Sequence, residues 1–293
     1  MILDSSSSQM RIGVVGAGTM GSGIAHVFAR SGFSVALCDS AEGALDRAMD
    51  SIAENLGREV NRGVITEEYR AQSLARIHTG SYLESLAGSG IIIEAIHERF
   101  EAKHALLKAL DDMLPSEVIL ASNTSSISLT KLAAVTSRPD RVIGMHFFNP
   151  VPVMVLVEVV RGMQTSDKTT QAVLALVQKI KKTPIEVNDA AGFVSNRILL
   201  PFLNEAMFAL MEGVATAENI DTVFKLGMAH PMGPLALADF IGLDVCLDIL
   251  RVLVEETGDP KYRPCPLLVR MVSAGWLGRK TGKGFFTYPE NSK

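Results

Sequence analysis

His146 and Glu158 stand twelve residues apart in HFFNPVPVMVLVEVV, a segment that is otherwise almost wholly apolar. An imidazole titrates near neutrality, which suits it to take a proton from an alcohol. A carboxylate on its second ring nitrogen fixes the tautomer and stabilises the imidazolium. The turn at Asn149–Pro150 and Pro152 lets a strand over Val151–Val160 double back beside the one ending at His146. A buried carboxylate without a partner is strongly unfavourable, so Glu158 demands one. The side-chain chemistry fits a second arrangement equally well: a structural Glu158 held by an arginine or a backbone N–H, and a His146 satisfied in the core.

The elements that must position these groups begin at RIGVVGAGTMGSGIAHVFARSGFSVALCDS. Ile12–Val15 reads as a short buried strand, followed by Gly16, Gly18 and Gly21 and a helix from about Met20 to Arg30. A second strand, Ser34–Leu37, runs into Asp39. Strand, glycine turn, helix, strand and acid come in the order of a dinucleotide-binding unit. Gly16 permits the tight turn, Gly18 lets the backbone approach a pyrophosphate, and Gly21 allows close helix–strand packing. The helix start at Thr19 and Met20 offers its N–H groups to phosphate. Asp39, eighteen residues after Gly21, is placed to accept from ribose hydroxyls and would repel a 2′-phosphate. NAD is therefore expected rather than NADP.

Further on, helices are expected over Ala41–Asn61 and Thr66–Arg76, an inserted hairpin broken at Asn61-Arg62-Gly63. Strands are expected at Gly90–Ile96, Val118–Ala121, Arg141–Met145 and Ile185–Val187, with helices over Phe100–Leu114 and Gln171–Lys181. This alternation implies an α/β fold, a doubly wound, mostly parallel, Rossmann-like sheet. After Asn188 the pattern turns helical, over Phe193–Met211, Ile220–Lys225, Leu235–Val254 and Pro266–Ala274, with one strand at Phe285–Tyr288. Two domains are expected, 1–189 binding NAD and a smaller all-α domain, 190–293, for substrate and dimerisation. Ligands of doubly wound sheets bind outside the carboxyl ends of the strands. The glycine turn, the loop Ser122–Ser126 and His146 all fall there.

Composition narrows the partners. With 47% hydrophobic and 20% charged residues, the 293-residue chain is an ordinary globular protein. A net charge of −4 gives no case for nucleic acid or an anionic membrane. No apolar run is long enough to span a bilayer, MILDSSSSQMR reads as a short tail rather than a secretory signal, and the terminal NSK is not the SKL address. Three scattered cysteines, without CxxC or a Cys/His cluster, point to free thiols in a reducing, cytoplasmic compartment and to no metal site. His26 reads as helix packing, His230 as an architectural corner and Trp276 as packing, and His78, His97 and His104 lack metal-ligand spacing.

GAGTMG, EAIHE, SNTSS, HFFNPVPVMVLVEVV, GFVSNR, KLGMAHPMGP and GRKTGKGFFTY cover nearly the whole chain in order. Together they resemble the 3-hydroxyacyl-CoA dehydrogenase family, especially its short 3-hydroxybutyryl-CoA dehydrogenase type. The resemblance implies NAD-dependent interconversion of (S)-3-hydroxyacyl-CoA and 3-ketoacyl-CoA, in a cleft between the domains of a homodimer that pairs through its C-terminal domain. It implies His146 as base, Glu158 as its orienting partner, and Ser125 and Asn196 on the substrate's 3-oxygen, with Asn149 in support. On the cofactor side it implies Asp39, Glu98, Lys103 and Asn123. Arg58 and Arg62 fall where the family carries basic residues toward the CoA phosphates. Two rivals differ in class: a dehydrogenase of free hydroxy acids, which would not need the basic hairpin, and a non-catalytic NAD-binding protein, which would not need Ser125, His146, Glu158 and Asn196 together.

Overall fold

The structure, a computed structural model, describes residues 10–289. The serine-rich N-terminal tail and the final NSK lie outside them. The chain divides into two compact units, one ending at Asp189 and the other beginning at Ala190.

The first unit runs β1 (Arg11–Val15), α1 (Thr19–Arg30), β2 (Val35–Cys38), α2 (Ala44–Asn61), α3 (Glu67–Ala75), β3 (Ile77–Gly80), β4 (Ser89–Glu94), α4 (Phe100–Met113), β5 (Ile119–Ser122), α5 (Leu129–Ala133), β6 (Val142–Phe147), β7 (Leu156–Arg161), α6 (Asp167–Lys179) and β8 (Thr183–Asn188). The strands form one eight-stranded sheet in the order β3-β2-β1-β4-β5-β6-β7-β8. From β3 to β6 neighbours are parallel; β7 runs antiparallel to β6, and β8 parallel to β7. Ile91, Ile92 and Ile93 of β4 are all buried, as expected of a strand covered on both faces. Ile24, Val27 and Phe28 of α1 pack into the same core as Ile12, Val14 and Leu37.

Several boundaries differ from expectation for identifiable reasons. α6 starts at Asp167 because Ser166 caps it, its side chain accepting from Thr169 N–H. β7 starts at Leu156 rather than Val151, because the carbonyls of Val151 and Met154 turn onto the Lys182 ammonium at 2.6 and 2.5 Å. β3 and α5 carried no periodic signal: β3 is four residues long with two of them exposed, and α5 is a single turn-and-a-half capped by Ser128.

The second unit is helical: α7 (Ser195–Met211), α8 (Ala217–Gly227), α9 (Pro234–Ile241), α10 (Leu243–Thr257) and α11 (Pro266–Ser273). The single long helix expected over Leu235–Val254 is two, because Gly242 between them sits at φ +107°, outside helical space. The strand expected at Phe285–Tyr288 is absent; only isolated bridges form there. Buried Asp239 takes its backbone donors instead, accepting from Phe285 N–H and Phe286 N–H at 3.0 and 2.9 Å and from the Tyr288 hydroxyl. Leu200, Leu203, Met207, Leu235, Leu247 and Leu250 anchor this unit's own core. Among the described residues no helix is long and apolar enough to cross a membrane.

Candidate active site

The turn between β1 and α1 needs each glycine for a different reason. Gly16 has φ +100°, and a Cβ on it would lie 2.5 Å from the Ala95 carbonyl oxygen. A Cβ on Gly21 would lie 1.7 Å from the Gly16 carbonyl oxygen, so α1 could not approach the turn. Gly18 is unlike both: its φ of −72° suits any residue, and a Cβ there would meet nothing within 4 Å. No group of the protein requires glycine at that position, which leaves a ligand that lies against the backbone. No side chain caps the start of α1, so its first N–H groups face outward for an anion.

Asp39, at the end of β2, accepts from Ala17 N–H at 2.7 Å and from Ala41 N–H at 2.8 Å. The two bonds fix its carboxylate beside the turn, and about two of its four lone-pair directions remain. A cavity of about 970 Å³ opens here, lined by Gly16, Gly18, Asp39, Tyr82, Ile96 and Met113 among others. Backbone donors, a fixed carboxylate and apolar walls fit the pyrophosphate, ribose and adenine of a dinucleotide.

On the other half of the sheet, β6 and β7 pair so that His146 and Glu158 are register partners. Partners in an antiparallel ladder project to the same face. The His146 Nδ1 and Glu158 Oε2 lie 2.7 Å apart, both residues buried, and the Phe148 ring stands 4.7 Å from the imidazole. The partner that a buried Glu158 demands is thus the histidine.

The loop after β5 is drawn around one carboxylate oxygen. Glu98 Oε1 accepts from the Thr124 hydroxyl at 2.6 Å, Ser125 N–H at 2.8 Å and Ser126 N–H at 3.2 Å, and more weakly from the Ser125 and Ser126 hydroxyls. Burial alone would raise the Glu98 pKa. The Lys103 ammonium, the Thr124 hydroxyl and the Ser125 N–H outweigh it and hold the pKa below the usual carboxylate value. Asn123 ties this loop to β6, its side-chain oxygen accepting from Phe147 N–H at 2.9 Å, next to His146.

Lys103 reaches the same Glu98 carboxylate from inside the protein. Its side chain is buried, and the ammonium reaches Glu94 Oε1 at 2.5 Å, the Ile96 carbonyl at 3.3 Å and Glu98 Oε2 at 3.2 Å. Three donors meet three acceptors inside the protein, because fully buried Glu94 needs a counter-charge. Lys103 thereby ties Glu94 to the Ile96–Glu98 segment. Glu94 was missed as a site residue. It also accepts from the Ser122 hydroxyl and from Ile96 N–H, so it joins the cavity wall to the Ser125 loop. The signal was present: a carboxylate inside the apolar run IIIEAI, the same anomaly that singles out Glu158.

Arg58 pairs along its own helix with Glu54 at 2.5 Å and Asn55 at 3.2 Å. Arg62 is exposed at the end of α2. Asn149 is exposed in the loop after β6, and Asn196 opens α7 in the second unit. Thr19 is exposed and Met20 half-buried at the start of α1. Among the described residues no cluster of three metal-ligating side chains occurs.

The model of the 3-hydroxyacyl-CoA dehydrogenase NAD-binding domain matches residues 11–190, and that of the family's C-terminal domain matches residues 192–288. The chain belongs to the 3-hydroxyacyl-CoA dehydrogenase family. Its dinucleotide cavity is accordingly that of the family's NAD-binding domain. Within the family the chain is 54% identical over 282 residues to a probable 3-hydroxybutyryl-CoA dehydrogenase of Bacillus subtilis, covering 96% of this chain and 98% of that one. It is 51% identical over 278 residues to a 3-hydroxybutyryl-CoA dehydrogenase of Bradyrhizobium diazoefficiens, covering 95% of each. The crystal structure of (S)-3-hydroxybutyryl-CoA dehydrogenase from Ralstonia eutropha superposes with a TM-score of 0.94 at 51% identity, over 96% of this chain and all of that one.

Proposed function

We propose that this dehydrogenase interconverts (S)-3-hydroxybutyryl-CoA, or a similar short (S)-3-hydroxyacyl-CoA, and the 3-ketoacyl-CoA, with His146 and Glu158 as a general-base pair. The observation that carries the mechanism is the 2.7 Å contact between Nδ1 and Oε2 across paired strands. With Nδ1–H donating to Glu158, the imidazole is held in the tautomer whose Nε2 carries the lone pair. Nε2 takes the C3 hydroxyl proton, and the carboxylate opposite stabilises the imidazolium that forms. In the reducing direction the imidazolium returns that proton to the ketone oxygen. NAD, held by the glycine turn and Asp39, supplies the hydride acceptor.

Ser125 is assigned to the substrate's 3-oxygen, its loop held by Glu98 and by Asn123. Asn196 and Asn149 are assigned to the substrate on the motif resemblance, and Glu98 and Lys103 support the segment that lines the cofactor cavity. Arg58 and Arg62 are assigned to the CoA phosphates; Arg58 would exchange its Glu54 contact for them.

Val214, Val223, Leu226 and Met228 of the second unit are more than half exposed. Apolar side chains so exposed favour burial against a partner, and we assign this face to a homodimer. A cytoplasmic location and a place in fatty-acid oxidation follow from the same family reading.

The experiment is loss of NADH absorbance on adding acetoacetyl-CoA, repeated with NADPH and with free acetoacetate. Rapid loss only with NADH and the thioester supports the assignment. Turnover of free acetoacetate at a similar rate would move it to a dehydrogenase of free hydroxy acids, and NADH binding without turnover would make the chain a non-catalytic member.

A further inference from the structure

The cofactor cavity carries the wrong charge for its ligand. The pyrophosphate of a dinucleotide is a dianion, and the wall already contributes the carboxylates of Asp39 and Glu84. No lysine or arginine lines it. The open start of α1 offers roughly half a positive charge, which leaves most of the phosphate charge unmatched. Among the described residues of the wall, His97 alone can become a cation. It is one of the histidines that the sequence sets aside for want of metal-ligand spacing.

Its place in the fold brings it to the phosphates. The backbone just before it lies against the glycine turn. Ala95 N–H donates to the Val15 carbonyl at 2.7 Å, and a Cβ on Gly16 would lie 2.5 Å from the Ala95 carbonyl oxygen. Ile96 is pinned on both sides, its N–H donating to Glu94 at 2.8 Å and its carbonyl accepting from Lys103 at 3.3 Å. His97 is the next residue, exposed at the cavity wall. Its ring makes no hydrogen bond or ion pair among the described residues. A fixed backbone thus carries an uncommitted imidazole beside the turn that receives the pyrophosphate.

The other titratable groups nearby are committed elsewhere or lie off the wall. Glu98 is held by Lys103 at 3.2 Å and by the Thr124 hydroxyl at 2.6 Å. Arg99 and His78 do not line the cavity, and His104 of α4 packs on the Phe100 ring. Burial pushes the Cys38 thiol up, so it stays neutral at about pH 7. An imidazole titrates near neutrality, so pH sets how much positive charge this wall presents. We propose that His97 is the counter-charge for the cofactor's pyrophosphate and that its protonation strengthens binding of NAD and NADH. Because the residue is exposed, solvent screening keeps the gain modest.

The test is a fluorescence titration of the protein with NADH, without acyl-CoA, at about pH 6 and about pH 8. The wild-type Kd should be about threefold to fivefold lower at the acid end. His97→Gln should bind at both ends as wild type does at the alkaline end, and His97→Lys should bind tightly at both. ADP-ribose, displacing NADH, should follow the wild-type pH dependence, and adenosine, which lacks phosphate, should show none. A wild-type Kd equal at both ends would overturn the inference. Full pH dependence in His97→Gln would overturn it by placing the proton on another group. The same dependence for adenosine would overturn it by separating the proton from the phosphates. No substrate enters the titration, so the result is independent of the acyl-CoA assignment.

Discussion

Replacing Glu158 by Gln removes one charge from the His146 pair and keeps its volume. The two groups touch at 2.7 Å, which puts their charge centres about 4 Å apart once the imidazole is protonated. At an effective dielectric of about 20, that separation is worth about 4 kcal/mol of attraction. In the direction of alcohol oxidation the imidazolium exists only after the proton has moved, so this stabilisation belongs to the transition state and not to the resting enzyme. A full loss would slow turnover about a thousandfold. Gln can still present its carbonyl oxygen to Nδ1–H, and the expected fall in kcat is therefore about one hundredfold to one thousandfold. Initial rates of NAD reduction with (S)-3-hydroxybutyryl-CoA measure it, and NADH fluorescence titration serves as the control, because Glu158 lines none of the cofactor cavity. A Glu158→Gln enzyme within about threefold of wild-type kcat, with NADH affinity intact, would refute the pairing as the source of the rate.

Other perturbations reach different parts of the molecule. Gly18→Ala should melt close to wild type, since its Cβ meets nothing, yet weaken NADH binding by about tenfold or more; Gly21→Ala, whose Cβ meets a carbonyl at 1.7 Å, should lose more than about 3 kcal/mol of stability in urea unfolding. Lys103→Met leaves Glu94 and Glu98 without their common cation and should cost about 3–5 kcal/mol, read from the shift in urea midpoint. The pKa of His26 is lowered in the folded state by burial against the opposing pull of Glu59, so the unfolded chain binds the proton first as pH falls through about 6.5. Stability from this group is present above that pH and is lost below it, down to the folded value. His26→Gln should therefore show a smaller drop in melting temperature between about pH 7 and pH 5 than wild type; an identical drop would place the acid sensitivity elsewhere.

Where the sequence could be read, the pattern and the physics coincide. The glycine turn is legible because three glycines flanked by an apolar strand and an amphipathic helix have few other uses. A strand doubling back to bring Glu158 beside His146 is legible from two prolines and the spacing, although the side chains alone left Glu158's partner open. That choice is made by ladder register, which depends on how β7 is held by β8 and Lys182, residues far along the chain. The loop around Glu98 was not legible for a related reason. Five donors from Thr124, Ser125 and Ser126 converge on an oxygen 26 to 28 residues away, and no local pattern encodes a contact of that kind. Lys103 shows the limit from the other side: its match to a family position was clear, but its burial against Glu94 is a tertiary fact. The break at Gly242 was missed because an isolated glycine inside an apolar run weakens a helix without dictating its end.

The β6–β7 hairpin makes the state of each molecule nearly binary. His146 and Glu158 are partners in a strand ladder, and a slip of one residue turns Glu158 to the opposite face. Six consecutive register partners between β7 and β8, from Leu156 with Thr183 to Arg161 with Asn188, resist such a slip. A molecule with the sheet intact carries the complete dyad, and one with the hairpin opened carries none of it. Partial heat or denaturant damage should then reduce the number of working molecules while each survivor keeps its full turnover rate, and active-site titration would count intact sheets.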